Sequence, residues 1–399
     1  LKLDSTDLPV SPDYIQQIKK RGGKVVAVSK WNNSVLVRGN NRQTLEDLKV
    51  LYFVKDSKLV FVSPDSIRPL SQRVRYNSEL QSLDSTVHDY YGMGKGQIES
   101  LNGRKLHNLG FMGQGMTIAV LDAGFMNVDK IAAFRNLNIK GTHNFVAGYD
   151  NDVYKEMDHG TKTLSTIAMN QPTVFVGTAP KADFWLLRTE DYSTESPAEE
   201  DFWIAAVEFS DSVGVDIISS SLGYHGFDDI SMNYRYSDLN GRTAAISQAA
   251  SRLASKGMIL VNSAGNDGMG TWKKINVPAD ARDILTVGAV SLDKVNAPFS
   301  SIGPTADGRI KPDVMAYGCP TNVVSGRGYI IPDNGTSFAC PLIAGMVACL
   351  WQACPNKSAK VILDIVRQSG NNCQSPDNIM GYGIPDFWSA YQSATRYNQ

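Results

Sequence analysis

Apolar positions along this chain keep two rhythms, and the change comes near Tyr91. From there on, near-continuous apolar runs alternate with longer mixed stretches. Thr117–Leu121, Val215–Ser219, Met258–Val261 and Ile284–Val290 are runs of the kind that strands show when both faces of a parallel sheet are covered. Helices are predicted over Thr161–Met169, Thr243–Lys256, Ser337–Ala353 and Ser358–Gln368. This alternation predicts an α/β fold, a doubly wound, mostly parallel sheet flanked by helices. Function then belongs at the carboxyl ends of the strands.

The N-terminal part reads differently. Ser11-Pro12 opens a helix that stops at Gly22-Gly23. Lys24–Lys30 and Ser34–Arg38 are β-rich runs around a Trp31-Asn32-Asn33 turn, and Thr44 with Asp47 resembles a capping box before a second helix. Phe53–Val62 is predicted to return as a strand. Residues 1–62 thus form a small open-faced α/β unit. Residues 63–90 are polar and carry Pro64 and Pro69, as a linker within reach of a protease does. Residues 91–399 form the large domain.

Composition narrows the function without naming it. The formal net charge is −1, with no long basic block, which argues against nucleic-acid binding. No apolar run has membrane-spanning length. The chain begins at Leu1 rather than Met, so a processed product or trimmed chain is expected, its address removed. The five cysteines fit no zinc spacing. Cys354 and Cys373 bracket a predicted helix and are the preferred disulfide pair; the alternative is five small buried thiols.

Five places carry chemistry. Asn334-Gly335-Thr336-Ser337 delivers a serine to the start of a buried helix, where the positive end of the helix stabilises an anion. Asp122 ends the strand Thr117–Leu121, placed to orient an imidazole. His159 stands before a helix in Asp158-His159-Gly160-Thr161 and would be kept basic by such a carboxylate. Asn266 follows a core strand, and its amide suits a developing oxyanion together with the Ser337 N–H. Ser221-Leu222-Gly223 also follows a core strand and suits pairing with an extended substrate. Taken singly, each feature also fits an ordinary turn or strand exit.

Together, Asp122-Ala123-Gly124, His159-Gly160-Thr161, Ser221-Leu222-Gly223, Ser263-Ala264-Gly265-Asn266 and Gly335-Thr336-Ser337 resemble the subtilisin-like serine protease family (subtilases). Tyr91-Gly92, Phe299–Pro304 and Lys311-Pro312-Asp313-Val314 add to the resemblance, which covers roughly residues 91–390. It implies a serine endopeptidase with Ser337 as nucleophile, His159 as base and Asp122 as its orienting partner. Asn266 would complete the oxyanion hole. Ser221, Leu222, Gly223, Ser263, Ala264 and Gly265 would surround the substrate residues before the scissile bond. The first unit then resembles an inhibitory propeptide, so a zymogen, acting on proteins or peptides and secreted, periplasmic or cell-surface, is expected.

Departures from the family pattern are few. Lys162 stands where many members have a second histidine, Ala123 replaces a serine, and Phe338, Cys340 and Leu342 replace Met, Ser and His. Cys340 raises the expectation of sensitivity to mercurials. Catalysis needs no cofactor or metal; Asp150-Asn151-Asp152 is a candidate structural calcium loop. Tyr224–Asn240 is expected as a loop over one side of the groove. The competing readings are a catalytically silent subtilase-fold binding protein, and an esterase or ligase using the same acyl-enzyme.

Overall fold

The computed structural model describes residues 4–62, 73–82 and 89–396. The first unit contains α1 (Pro12–Lys20), β1 (Lys24–Ser29), β2 (Ser34–Arg38) and α2 (Arg42–Lys49), with β1 and β2 antiparallel. Two expectations fail here. The cap of α2 is Asn41, whose side chain accepts from the Thr44 N–H at 2.9 Å, not a Thr44–Asp47 box. Phe53–Val62 forms no strand: Phe53 stacks on Tyr14 at 4.1 Å, and Val60 packs against the Val146, Ala198 and Phe202 cluster rather than joining a ladder. The small core is Ile18, Leu48 and Leu51.

Part of the expected linker is packed in place. β3 (Gln81–Ser82) runs parallel to a strand of the large domain, the Ala132 N–H donates to the Ser78 carbonyl at 2.8 Å, and Arg73 pairs with Asp129 at 2.8 Å. The remainder, 63–72 and 83–88, lies outside the described residues.

The large domain opens with α3 (Lys95–Ser100) and α4 (Arg104–Asn108), then β4 (Thr117–Asp122), β5 (Asn138–Asn144) and α5 (His159–Ala168). A short ladder of β6 (Asn170–Gln171) and β7 (Phe175–Val176) leads to β8 (Asp183–Arg188), α6 (Ala198–Ser212) and β9 (Ile217–Ser220). Then come α7 (Ala245–Ala250), β10 (Ile259–Ser263), β11 (Leu285–Ser291) and β12 (Val314–Cys319). The chain closes with the hairpin β13 (Thr321–Val324) and β14 (Tyr329–Asp333), then α8 (Thr336–Ala353), α9 (Ala359–Gln368) and α10 (Phe387–Arg396).

Seven strands form one sheet in the order β12-β11-β10-β9-β4-β8-β5, every neighbour parallel. From β4 the chain reaches the edge strand β5, returns through β8 between the two, then crosses to β9 on the other side of β4. β4 and β9 therefore flank the switch point, where a doubly wound sheet opens a crevice. Side chains alternate between two cores: Ile118 and Val120 face α5 and α8, whereas Ala119 and Leu121 face α6. Both faces are buried, which is why these strands read as unbroken apolar runs.

The predicted helix over Thr243–Lys256 is shorter. It is α7 plus a 3-10 turn at Leu253–Lys256, ended by Gly257 at φ +88°. Gly257 takes the left-handed turn that closes the segment and redirects the chain into β10. Among the described residues one helix, α8, is apolar and long enough to cross a membrane, but 83% of that stretch is buried in the core. All five cysteines are free thiols, so the Cys354–Cys373 bridge does not form.

The small unit docks on α6. The Glu208 carboxylate accepts from the Ser29 hydroxyl at 2.6 Å and from the N–H groups of Lys30 and Trp31 at 2.9 and 3.1 Å. Trp31 is 2% exposed and joins the core beneath α6. Lys30 pairs with Asp211, and Lys256 pairs with Asp7.

Candidate active site

β4 carries Asp122 to the crevice and leaves it 2% exposed. Its Oδ1 accepts from the Ala123 N–H and lies 2.8 Å from His159 Nδ1. Its Oδ2 accepts from the Thr163 hydroxyl at 3.0 Å. A carboxylate only accepts, so the His159 proton sits on Nδ1 and the Nε2 lone pair is left for chemistry. His159 opens α5, and Thr163 falls on the same face one turn later. Gly160 lets α5 approach: a Cβ there would meet the Gly124 carbonyl at 2.4 Å.

Burial pushes the His159 imidazole toward its neutral form, but the charge and hydrogen bond of Asp122 outweigh it, and its pKa lies above the ordinary 6.5. Lys162 acts against this only weakly, because its ammonium is held by Asp333 at 3.0 Å.

Ser337 is the second residue of α8 and is 8% exposed. Its N–H belongs to the first helical turn, where backbone donors lack intrahelical acceptors. Its hydroxyl donates to the Ser221 carbonyl at 3.4 Å, while the Ser221 hydroxyl donates to the Ser337 carbonyl at 2.8 Å. Among the described residues Ser337 and His159 share no hydrogen bond. Such contacts tighten only when substrate is bound.

Asn266 Oδ1 accepts from the Thr336 N–H at 2.9 Å and from the Thr336 hydroxyl at 3.0 Å. Two donors on one atom assign that atom as oxygen, so the Asn266 NH₂ points the other way and remains free to donate. Gly265, at φ +109°, brings the chain there; a Cβ would strike Ser301 Oγ at 2.8 Å and Asn276 Nδ2 at 2.9 Å.

Ser221-Leu222-Gly223 and Ser263-Ala264-Gly265 continue the adjacent parallel strands β9 and β10. Ala264 is committed to the fold, its N–H donating to Val287 and its carbonyl accepting from Asn276. Gly223 makes no backbone hydrogen bond among the described residues, leaving that edge open. Between the dyad and this edge lies a cavity of about 440 Å³ lined by Asp122, His159, Leu222, Glu190, Glu195 and Asp228, among others.

Tyr224–Asn240 is anchored at Tyr224 and Phe227, which are buried, and at Tyr234, whose hydroxyl donates to Glu200 at 2.7 Å, while residues 228–231 are exposed. Cys340 is buried behind the nucleophile, its thiol pushed up to about 12 by burial, against the expected mercurial sensitivity. His107 is structural, lowered to about 4 by burial, its ring bonded to Tyr91 and Thr178. Thr163, Thr336 and the acidic wall escaped sequence reasoning; only the placement of Thr163 four residues after His159 offered a signal.

Residues 113–383 match the Subtilase family, and residues 1–79 match the Peptidase S8 propeptide domain of Bacteroidota. Subtilisin NAT of Bacillus subtilis subsp. natto and Subtilisin E of Bacillus subtilis (strain 168) are each 27% identical over 340 residues, 85% of this chain and 75% of theirs. The crystal structure of MycP1 from Mycobacterium smegmatis shares the fold, with a TM-score of 0.59 and 20% identity over 83% of this chain and 92% of that one.

Proposed function

The chain belongs to the subtilase family, and from that premise we propose that Ser337 is its nucleophile, His159 its general base and Asp122 the orienting carboxylate. The protein is a serine endopeptidase. The observation that carries the residue assignment is the 2.8 Å contact of His159 Nδ1 with Asp122, set beside a serine in the first turn of α8.

In this reading, substrate pairs with the Gly223 edge and rotation of the Ser337 side chain brings Oγ to His159 Nε2. Nε2 takes the hydroxyl proton as Oγ attacks the scissile carbonyl, and Asp122 stabilises the imidazolium. The Asn266 NH₂ and the Ser337 N–H hold the oxyanion. His159 then returns the proton to the leaving amine, and water releases the acyl group by the same route. Ser221, Leu222, Gly223, Ser263, Ala264 and Gly265 frame the residues before the scissile bond.

The N-terminal unit is read as an intramolecular inhibitor and the docked chain as a zymogen; the Glu208 clamp and buried Trp31 support this. A propeptide also suits a protease that works outside the cytoplasm, secreted, periplasmic or at the cell surface. Catalysis by these residues uses no cofactor. The loop Asp150-Asn151-Asp152 fits calcium poorly: Lys155 already sits 2.7 Å from Asp150 and 3.4 Å from Asp152, and Asn151 Oδ1 accepts from the Asn144 N–H.

Fluorophosphonate labelling, read by intact mass beside Ser337→Ala, tests the proposal. Labelling that Ser337→Ala abolishes is expected, directly or once the N-terminal unit is clipped. No labelling in either form would leave the catalytically silent reading.

A further inference from the structure

The two oxygens of Asp122 are held from different directions. Oδ1 accepts from the Ala123 N–H at 2.8 Å and faces His159 Nδ1 at 2.8 Å. Oδ2 accepts from the Thr163 hydroxyl at 3.0 Å, and among the described residues it has no other donor. Asp122 is 2% exposed and Thr163 is fully buried, so water does not compete for that oxygen. Ala123 has no side-chain donor to offer in its place.

The torsion about the last bond of an aspartate is broad and roughly two-fold. Contacts at one oxygen therefore leave the carboxylate free to turn about that bond. A donor at each oxygen fixes its plane, and with it the direction in which Oδ1 presents a lone pair to Nδ1. His159 and Thr163 both belong to α5, four residues apart on one face. One helix thus brings the imidazole to Oδ1 and the hydroxyl to Oδ2. A shift of α5 moves both partners together, so the alignment of carboxylate and imidazole survives it.

The Thr163 hydroxyl has one proton and two acceptors in reach, Asp122 Oδ2 at 3.0 Å and the Gly160 carbonyl at 3.1 Å. A helical threonine bonded only to the carbonyl one turn back has a structural role. The charge on Asp122 decides between them, because an ionised acceptor takes the stronger hydrogen bond. That charge persists when His159 becomes an imidazolium, the point at which alignment matters most.

We propose that Thr163 is a positioning residue for the reaction, its hydroxyl fixing the plane of the Asp122 carboxylate so that Oδ1 stays aligned with the His159 Nδ1–H. The proposal rests on the assignment of Asp122, His159 and Ser337 above.

The test uses the full chain, clipped in every case with the same added protease, which is then removed. Thr163→Val, Thr163→Ser and Thr163→Ala are compared with wild type by steady-state peptide hydrolysis, with thermal unfolding followed alongside. Valine keeps the branched shape and removes the hydroxyl. Its kcat should fall about tenfold or more, as for loss of a hydrogen bond to a charged group. KM should stay within about twofold, since Thr163 acts on the step and not on binding. Serine restores the hydroxyl and should restore most of kcat. In an Asp122→Ala background, Thr163→Val should not slow fluorophosphonate labelling further, because the group it acts through is gone.

A valine variant with wild-type kcat and a lowered melting temperature would assign the hydroxyl to the Gly160 carbonyl and overturn the proposal. So would an equal loss with and without Asp122, or a serine variant as slow as valine. If the valine variant does not fold, serine against alanine isolates the same hydroxyl, and equal kcat for those two overturns the proposal. In each of these cases normal labelling of Ser337 in the wild type leaves the nucleophile standing. Absence of labelling in the wild type strikes the nucleophile assignment and this role with it.

Discussion

Thr336→Val probes the oxyanion hole without touching a group that reacts. The Thr336 hydroxyl donates to Asn266 Oδ1 at 3.0 Å, and the Thr336 N–H donates to the same atom at 2.9 Å. Valine keeps the shape and the backbone donor and removes the hydroxyl. Asn266 then keeps one of its two tethers. A neutral hydrogen bond is worth about 0.5–1.5 kcal/mol net, so kcat should fall roughly two- to tenfold if the lost tether appears fully in the transition state. The ceiling is loss of the Asn266 donor itself, on the order of 10²–10³ in kcat, a figure that comes from a subtilisin, a relative of this chain. The hydroxyl also accepts from the Gly265 N–H at 3.3 Å, so thermal unfolding should be followed alongside. The assay is steady-state hydrolysis of a chromogenic peptide by wild type, Thr336→Val, Asn266→Ala and the double variant. If Thr336 acts through Asn266, its replacement changes nothing further once Asn266 is alanine. Additive losses, or a change confined to KM, would refute the reasoning.

Asp122→Asn should lower kcat by about 10⁴, because Nδ1 loses its acceptor and the imidazolium its counter-charge. In the wild type the folded pKa of His159 is raised, so the neutral base is present above that pKa and activity is lost as pH falls through it; the acid limb of kcat/KM should lie above 6.5. Replacing Ala123, which donates only a backbone N–H to Asp122, should leave that limb in place. Glu208→Gln removes the charge from three hydrogen bonds at 2.6, 2.9 and 3.1 Å. The clipped N-terminal fragment should be retained roughly tenfold less well in gel filtration, since charged hydrogen bonds contribute about 1.5–3 kcal/mol. Iodoacetamide should modify half-buried Cys319 and Cys373 before buried Cys340 and Cys349, whose thiols burial pushes up, as peptide mapping will show.

Much of the catalytic domain was legible because its signals are local. Strands covered on both faces must be apolar throughout, so β4, β9, β10 and β11 could be read from four short runs. α8 was legible for the same reason, and Asp122, His159, Asn266 and Ser337 each sit at the end of such an element. β5 was not legible: Asn138–Asn144 lies at the sheet edge, half-buried, and its composition does not differ from a loop. α6 escaped too, because Glu199, Glu200 and Glu208 read as a solvated face yet are buried by their partners. Phe53–Val62 misled in the opposite sense, since an apolar start was taken up by stacking on α1 rather than by a ladder.

By itself the sequence determined which residues end the strands and begin the helices, and with them the order Asp122, His159, Asn266, Ser337. Hydrophobic periodicity and capping depend on neighbours a few positions away, so a linear reading captures them. Only the tertiary structure decided that the Asn266 amide faces NH₂ outward, that Glu208 grips the Ser29–Trp31 turn, and that Glu190, Glu195, Glu199 and Asp228 line one cavity with His159. Those outcomes depend on groups brought together from distant segments: Glu190 and Asp228 are 38 positions apart, and Ser29 and Glu208 are 179 apart. Hydrogen bonds and charge interactions act over a few ångströms of space, and no local pattern in the chain records which distant groups will share it.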